Sequence, residues 1–345
     1  MDWSQFSNFT QENISYFYIN KIKINKKSPL LEKIKSERKL IVDFIKSNNI
    51  DIKIKEIITD ELENKIIKYS NVFFVDQQNL LNDIVNLDRT FELSWLSKHN
   101  ISNHKNRIYM RTTIDNIINI IKRVKILILI AEYLKFKSNS LNKVINMYLI
   151  LSNLKKNIPN LNEKIDVKHV NSGYTDHSIN IIFIWRYEEF EKVFFHELIH
   201  FFDMDYSHNH ISCELEIDGP TNYFEAITDF WGIFYHIIYI SLITNNSIKK
   251  LLEIELSFIQ NQAMQINNYY DLNDWKKTPN KIIKQKTPAM SYYILKYLLF
   301  NFFLTNEFNE LSNFSRLLNK ILDIGFKTKE FNKIKSSRMT LLQLK

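Results

Sequence analysis

Apolar residues recur at three- and four-residue spacing over residues 30–47, 60–70, 80–87, 115–137 and 141–156, which predicts amphipathic helices through most of the first half of the chain. Short apolar, β-branched runs at 50–57 and 72–75 predict strands between them. No internal repeat or low-complexity linker interrupts the pattern, and the best boundary is at Pro159 to Asn162. It separates a mostly helical region, residues 1–162, from a second region, residues 163–345. Past the boundary the pattern changes. Residues 178–186 (SINIIFIWR) form a nearly continuous apolar run of strand length, preceded by Gly173 and the turn-like TDHS. Residues 187–205 switch at once to a helical period through Phe190, Val193, Phe194, Leu198, Phe201 and Phe202. Pro220 and Thr221 open another helix, and a further one begins near Pro288. The expected fold is mainly α with a small α+β core in the C-terminal half.

Composition agrees with a packed protein. At 345 residues, 45% hydrophobic and 14% aromatic, the chain has ample core material, and disorder as the main state is excluded. Four Gly and five Pro argue against collagen, a Gly-rich phosphate loop and a many-stranded barrel. The single cysteine, Cys213, cannot form an intramolecular disulfide, and the first residues lack the charged-then-apolar layout of a signal peptide. An intracellular, reducing compartment is therefore expected. No apolar run reaches the roughly 18 residues of a membrane span. The nearest, Phe230 to Thr244, contains His236 and Ser241 and reads as a buried core helix.

A net charge of +8 invites a nucleic-acid or membrane-surface partner, but the lysines are dispersed along helical segments as on a solvated surface. Charge of the opposite sign is concentrated: Arg186 to Asp229 holds 11 acidic residues against two basic ones. If that block faces a cleft, basic substrate side chains are preferred there.

The chemistry sits inside this block. His196, Glu197, Leu198, Ile199 and His200 spell HELIH, an HExxH motif on a predicted helix. Four residues at about 100° each return His200 to within about 40° of His196, so both imidazoles can face one ion with Glu197 beside them. Catalytic zinc needs a third protein ligand and an open position. A metzincin would place a Gly and a His where this chain has Asp203 and Tyr206, so that class is excluded. Glu225 and Asp229 instead stand in FEAITD, one helical turn apart. Glu225 can be the third ligand while Asp229 accepts the free N–H of a ligand imidazole.

Over roughly residues 175–232 the chain resembles the gluzincin metallopeptidases, the thermolysin-like and M1 aminopeptidase-like enzymes. The resemblance implies one zinc per chain on His196, His200 and Glu225, Glu197 as general base, and Asp229 orienting an imidazole. It implies a zincin-like core of edge strand, HExxH helix, ExxxD helix and C-terminal helices within residues 163–345, with SINIIFIWR as the edge strand that pairs with extended substrate. It also implies hydrolysis of peptide bonds in a peptide or protein substrate. No GAMEN-like exopeptidase signature precedes the site. The oxyanion donor in such enzymes is a Tyr or His further along the chain, for which Tyr292 or Tyr293 in TPAMSYYILK is the candidate.

Other residues weigh less. Asp203, Asp205, His208 and His210 offer an alternative ligand set but read better as a solvated helix end and loop. His236 reads as a core histidine and Cys213 as a small hydrophobe. Arg186 can contact a substrate carboxylate but reads better as a partner of Glu188 or Glu189. The alternative function is a catalytically inactive zincin fold, or a helical binding protein using its basic surface for nucleic acid or another anionic partner.

Overall fold

The computed structural model describes residues 3–19, 21–57, 80, 82–84, 86–98, 104–113, 117–156, 163–205, 217–218, 222–270, 283–308, 316–318, 320–321 and 337–345. The expected helix at 60–70 and strand at 72–75 lie outside them, as do His208, His210, Cys213, Pro220 and Thr221. The fold is mainly helical with a small mixed sheet. It forms two compact units: residues 1–37, 156–170 and 205–345 in one, 38–155 and 171–204 in the other. These stretches alternate along the chain, so neither unit corresponds to residues 1–162 or 163–345.

The second unit carries a six-stranded sheet. Its strands are β1 (Lys53–Glu56), β2 (Arg89–Leu96), β3 (Lys105–Thr112), β4 (Asn146–Ile150), β5 (Gly173–Asp176) and β6 (Ile181–Ile184), in the order β1-β2-β3-β4-β6-β5. β3, β4 and β6 run parallel, while β1, β2 and β5 pair antiparallel with their neighbours. Parallel neighbours need a crossover, and the helix α3 (Ile117–Lys137) supplies the one between β3 and β4. Two expectations are corrected here. Residues 141–156 contain the strand β4 and no helix: Met147 to Leu151 are buried without interruption, as in a central strand paired on both edges. The apolar run of residues 178–186 is likewise an interior strand, since β6 lies between β4 and β5; the edge strand is β5, in the segment expected to turn.

Burial in this unit is balanced by hydrogen bonds. Glu132 of α3, 5% exposed, accepts from Trp95 Nε1 and Ser97 Oγ, both at 2.8 Å. Asn106 and Lys135 both donate to Ser97 Oγ, at 2.8 and 3.1 Å. Burial pushes the Lys135 ammonium below its ordinary range, opposed by the charge of Glu132.

The other unit packs helices. Among them are α1 (Asn8–Ile19), the start of α2 (Pro29–Ser47), the short α4 (Val167–Val170), α6 (Phe224–Thr244), α7 (Ile248–Tyr269) and α8 (Lys296–Phe303), the last preceded by a π-helical turn at Ser291–Leu295. α6 alone among the described helices has the length and apolarity of a membrane span, and 83% of that stretch is buried inside the protein. Its fully buried Asp229 and His236 mark it as a core helix. The extended segment 337–345 runs through this unit and is buried as far as Leu344. Leu341 joins Ile14, Phe17, Ile254 and Phe258 in one apolar cluster. Thr10 Oγ1 donates to the Leu341 carbonyl at 2.6 Å, and the Leu341 N–H donates to Glu255 Oε2 at 3.2 Å.

Burial pushes the Glu255 carboxyl up to about 7, opposed by bonds from Thr340, Leu341 and Leu342 and by the nearby Lys296 charge. Its pKa is raised in the folded state, so the native protein holds a proton that the unfolded chain releases above pH 4.5. Stability is therefore expected to fall between about pH 4.5 and pH 7, by up to about 3 kcal/mol from this group. Urea unfolding across that window checks it: Glu255→Gln is expected to flatten the dependence and to be the more stable form at pH 8.

Candidate functional site

HELIH lies on α5 (Phe190–Phe201), a helix buried along nearly its whole length. Its start is fixed electrostatically. Glu191 is ion-paired with Arg123 of α3, both nearly inaccessible, and the guanidinium also lies 5.0 Å from the centre of the Phe190 ring. The residue before the helix, Glu189, has φ 65°, which turns the chain sharply from β6 into α5. The helix stops at Phe201, one residue after His200, in a Schellman arrangement. Met204 N–H donates to the Ile199 carbonyl and Asp203 N–H to the His200 carbonyl, each at 2.9 Å, with Asp203 left-handed at φ 53°. Lys143 donates to the Phe201 carbonyl at 2.6 Å and pairs with Asp203, placing a cation where the helix dipole favours one.

Between these ends the imidazoles of His196 and His200 face each other, with ring centroids 4.9 Å apart and planes at 80°. Glu197 is 4% exposed, and its Oε2 accepts from Thr175 Oγ1 at 2.8 Å. The same hydroxyl lies 3.1 Å from the Glu197 carbonyl, so one side chain of β5 grips both ends of that residue. A Cβ placed on Gly173, two residues earlier on β5, would collide with Glu197 Oε1 and come 2.6 Å from Val193 Cγ1 and 2.8 Å from Glu197 Cγ. Tyr174 between them has its phenol pushed up by burial first, then by the charges of Asp176 and Glu197.

Glu225 stands in the first turn of α6, where Asn222 Nδ2 donates to its Oε1 at 3.2 Å. One ligand atom from each of His196, His200 and Glu225 lies within 4.8 Å of the other two, a group that can hold a metal ion. His196 is buried; His200 and Glu225 are half-buried. Two imidazoles and a carboxylate suit a borderline divalent cation.

Asp229, one turn beyond Glu225, accepts from Lys296 Nζ at 2.7 Å, with both side chains fully buried. Tyr292 and Tyr293 are buried in the π-helical turn. Tyr293 donates its hydroxyl proton to the Ser337 carbonyl at 2.6 Å, which commits that phenol to the fold. His236 is fully buried against Tyr239, with Thr340 Oγ1 3.4 Å from its Nδ1, as expected of a core histidine. Asp203 contributes to the helix end; Asp205 is buried and accepts from Thr228. Arg186 Nε donates to the Asn171 carbonyl at 3.2 Å. Among the described residues of the acidic block, Glu188, Glu189, Glu191, Glu197, Asp205 and Asp229 are buried, while Asp203 and Asp218 are exposed.

Sequence reasoning passed over Thr175, Asn222, Lys143 and Lys296. For Thr175 the only available signal was the small-polar alternation of Gly173, Tyr174, Thr175 and Asp176, which also resembles a turn. No protein-family model, curated protein or solved structure matches the chain. The reading of the site therefore rests on its own geometry.

The Asp229–Lys296 pair has no solvent to screen it, so removing one partner strands a buried charge. Lys296→Met is expected to cost about 3–5 kcal/mol in urea unfolding, with part of that recovered in the Asp229→Asn, Lys296→Met double variant.

Proposed function

We propose that the chain is a zinc-dependent metallopeptidase on a gluzincin plan, with a zincin-like core around α5 and α6. The observation that carries this is the convergence of His196, His200 and Glu225 donor atoms beside a buried glutamate held in one position by Thr175. This donor set is the one zinc takes in catalytic sites of three protein ligands. When bound, zinc supplies a Lewis acid that acidifies water and polarises a carbonyl.

The protein's own groups do the rest. His196 and His200 come from successive turns of one helix, so their separation is set by the backbone and survives side-chain motion. Glu197, the only carboxylate of the motif, removes a proton from the attacking water and returns it to the departing amine as the C–N bond breaks. Its burial keeps the carboxylate away from bulk water that would otherwise compete for that proton. Asp229, one turn beyond Glu225 on α6, accepts from the buried Lys296 ammonium; on the gluzincin plan its role would be to orient a ligand imidazole. On the gluzincin plan Tyr292 is the candidate donor to the developing oxyanion; Tyr293 donates to the Ser337 carbonyl.

Elemental analysis and casein cleavage, measured together on three proteins, test this. The wild type is expected to hold about one zinc per chain and to release peptides. Glu225→Ala is expected to lose most of the zinc. Glu197→Gln is expected to keep the metal and lose at least about a hundredfold in rate. Cleavage by Glu197→Gln at the wild-type rate contradicts the assignment.

A further inference from the structure

We propose that Gly173 and Thr175 of the edge strand β5 are positioning residues for Glu197, fixing its carboxylate in the orientation in which it exchanges protons beside the metal group. The inference rests on the metallopeptidase reading and adds to it a role for residues outside the HExxH helix.

Three observations converge on it. Thr175 Oγ1 lies 2.8 Å from Glu197 Oε2 and 3.1 Å from the Glu197 backbone carbonyl, which ties the carboxylate to the helix through one hydroxyl. A hydroxyl has a single proton, so the bond to the carboxylate is the one strengthened when Glu197 is charged. Gly173 presents no side chain where one would strike Glu197 Oε1 and Cγ. The absence of a Cβ leaves room for this rotamer. Finally, Gly173 and Thr175 are two apart on a strand, so both address the same face, while Tyr174 and Asp176 point to the opposite one. The pairing of β5 with β6, Gly173 opposite Ile184 and Thr175 opposite Ile182, holds that register. A one-residue slip would present Tyr174 to the carboxylate and remove the donor.

Glutamate has three rotatable bonds, and a general base works only within hydrogen-bond reach of its proton. A donor on one oxygen, with space left for the other by the missing Cβ of Gly173, favours this placement without touching the metal ligands. The consequence is separable from metal binding. Loss of the Thr175 hydroxyl should weaken whatever depends on the placed carboxylate and leave zinc uptake unchanged.

Acetohydroxamate is a suitable probe, because it chelates a divalent ion while passing its N–OH proton to an adjacent base. Its affinity for the zinc-loaded full-length chain, measured by calorimetry alongside zinc content, is expected to fall about tenfold in Thr175→Val, the effect of one lost charge-assisted bond. Glu197→Gln should lose at least as much. Thr175→Ser should return close to wild type, which a purely structural role for the threonine methyl would not allow. Gly173→Ala is an independent variant that acts by displacing the carboxylate, and it carries the test if Thr175→Val does not fold. Zinc content should be equal in all of them. If the wild type binds zinc and hydroxamate and both Thr175→Val and Gly173→Ala bind the probe as tightly, the positioning role is wrong and the metallopeptidase reading stands. Zinc uptake without hydroxamate binding in the wild type also overturns the positioning role. A wild type that takes up no zinc removes the metallopeptidase reading and this inference with it.

Discussion

A carboxylate sunk to 4% exposure beside two imidazoles is costly to keep charged unless something donates to it, and Thr175 is a donor that reaches Glu197. That one bond connects the edge of a sheet to the middle of a helix. It fixes which face of α5 meets β5, and the i, i+4 spacing then decides where His196 and His200 point. The rest of the sheet unit makes this register hard to change. Glu191 with Arg123 secures the start of α5; Lys143, Asp203 and the Schellman bonds secure its end. A helix held at both ends cannot rotate its histidines away without breaking a buried ion pair.

The helical unit solves a related problem of buried charge. Asp229, Lys296 and Glu255 are all fully enclosed, and they present two carboxyl groups to one ammonium. Lys296 is in direct contact with Asp229, so Glu255 is the odd charge, and burial resolves the imbalance by raising its pKa to about 7. The segment 337–345 is part of the same arrangement, with its backbone N–H groups and carbonyls bonded to Glu255, Thr10 and Tyr293. The helix that carries Glu225 is thus set in a polar core whose members come from opposite ends of the sequence.

How much of this could be read beforehand follows from the range of each interaction. The helices at 30–47 and 117–137, the strand near 53–56 and the helix bearing HELIH are local patterns, and periodicity reveals them. Residues 141–156 misled because a run from Ile145 to Leu151 satisfies three- and four-residue spacing as well as it satisfies a doubly paired strand. β2 and β3 were missed although Phe91, Leu93 and Trp95 alternate inward, since nothing nearby marks a hairpin of two-residue length. The edge strand was assigned to the most apolar segment, whereas edges tolerate small polar residues and interiors do not. The grouping of His196, His200 and Glu225 was legible from spacing alone. Thr175 was not, because a hydrogen bond spanning 22 residues leaves no trace in a local pattern, and the same holds for Glu255 with Leu341 across 86.

The proposed chemistry depends on which atoms meet at one ion. Zinc-edge X-ray absorption on the metal-loaded protein reports it directly. The account predicts a first shell of nitrogen and oxygen at about 2.0–2.2 Å, with the outer-shell signature of two imidazoles and no sulfur. A shell with one imidazole or none, or with a thiolate at about 2.3 Å, would contradict it.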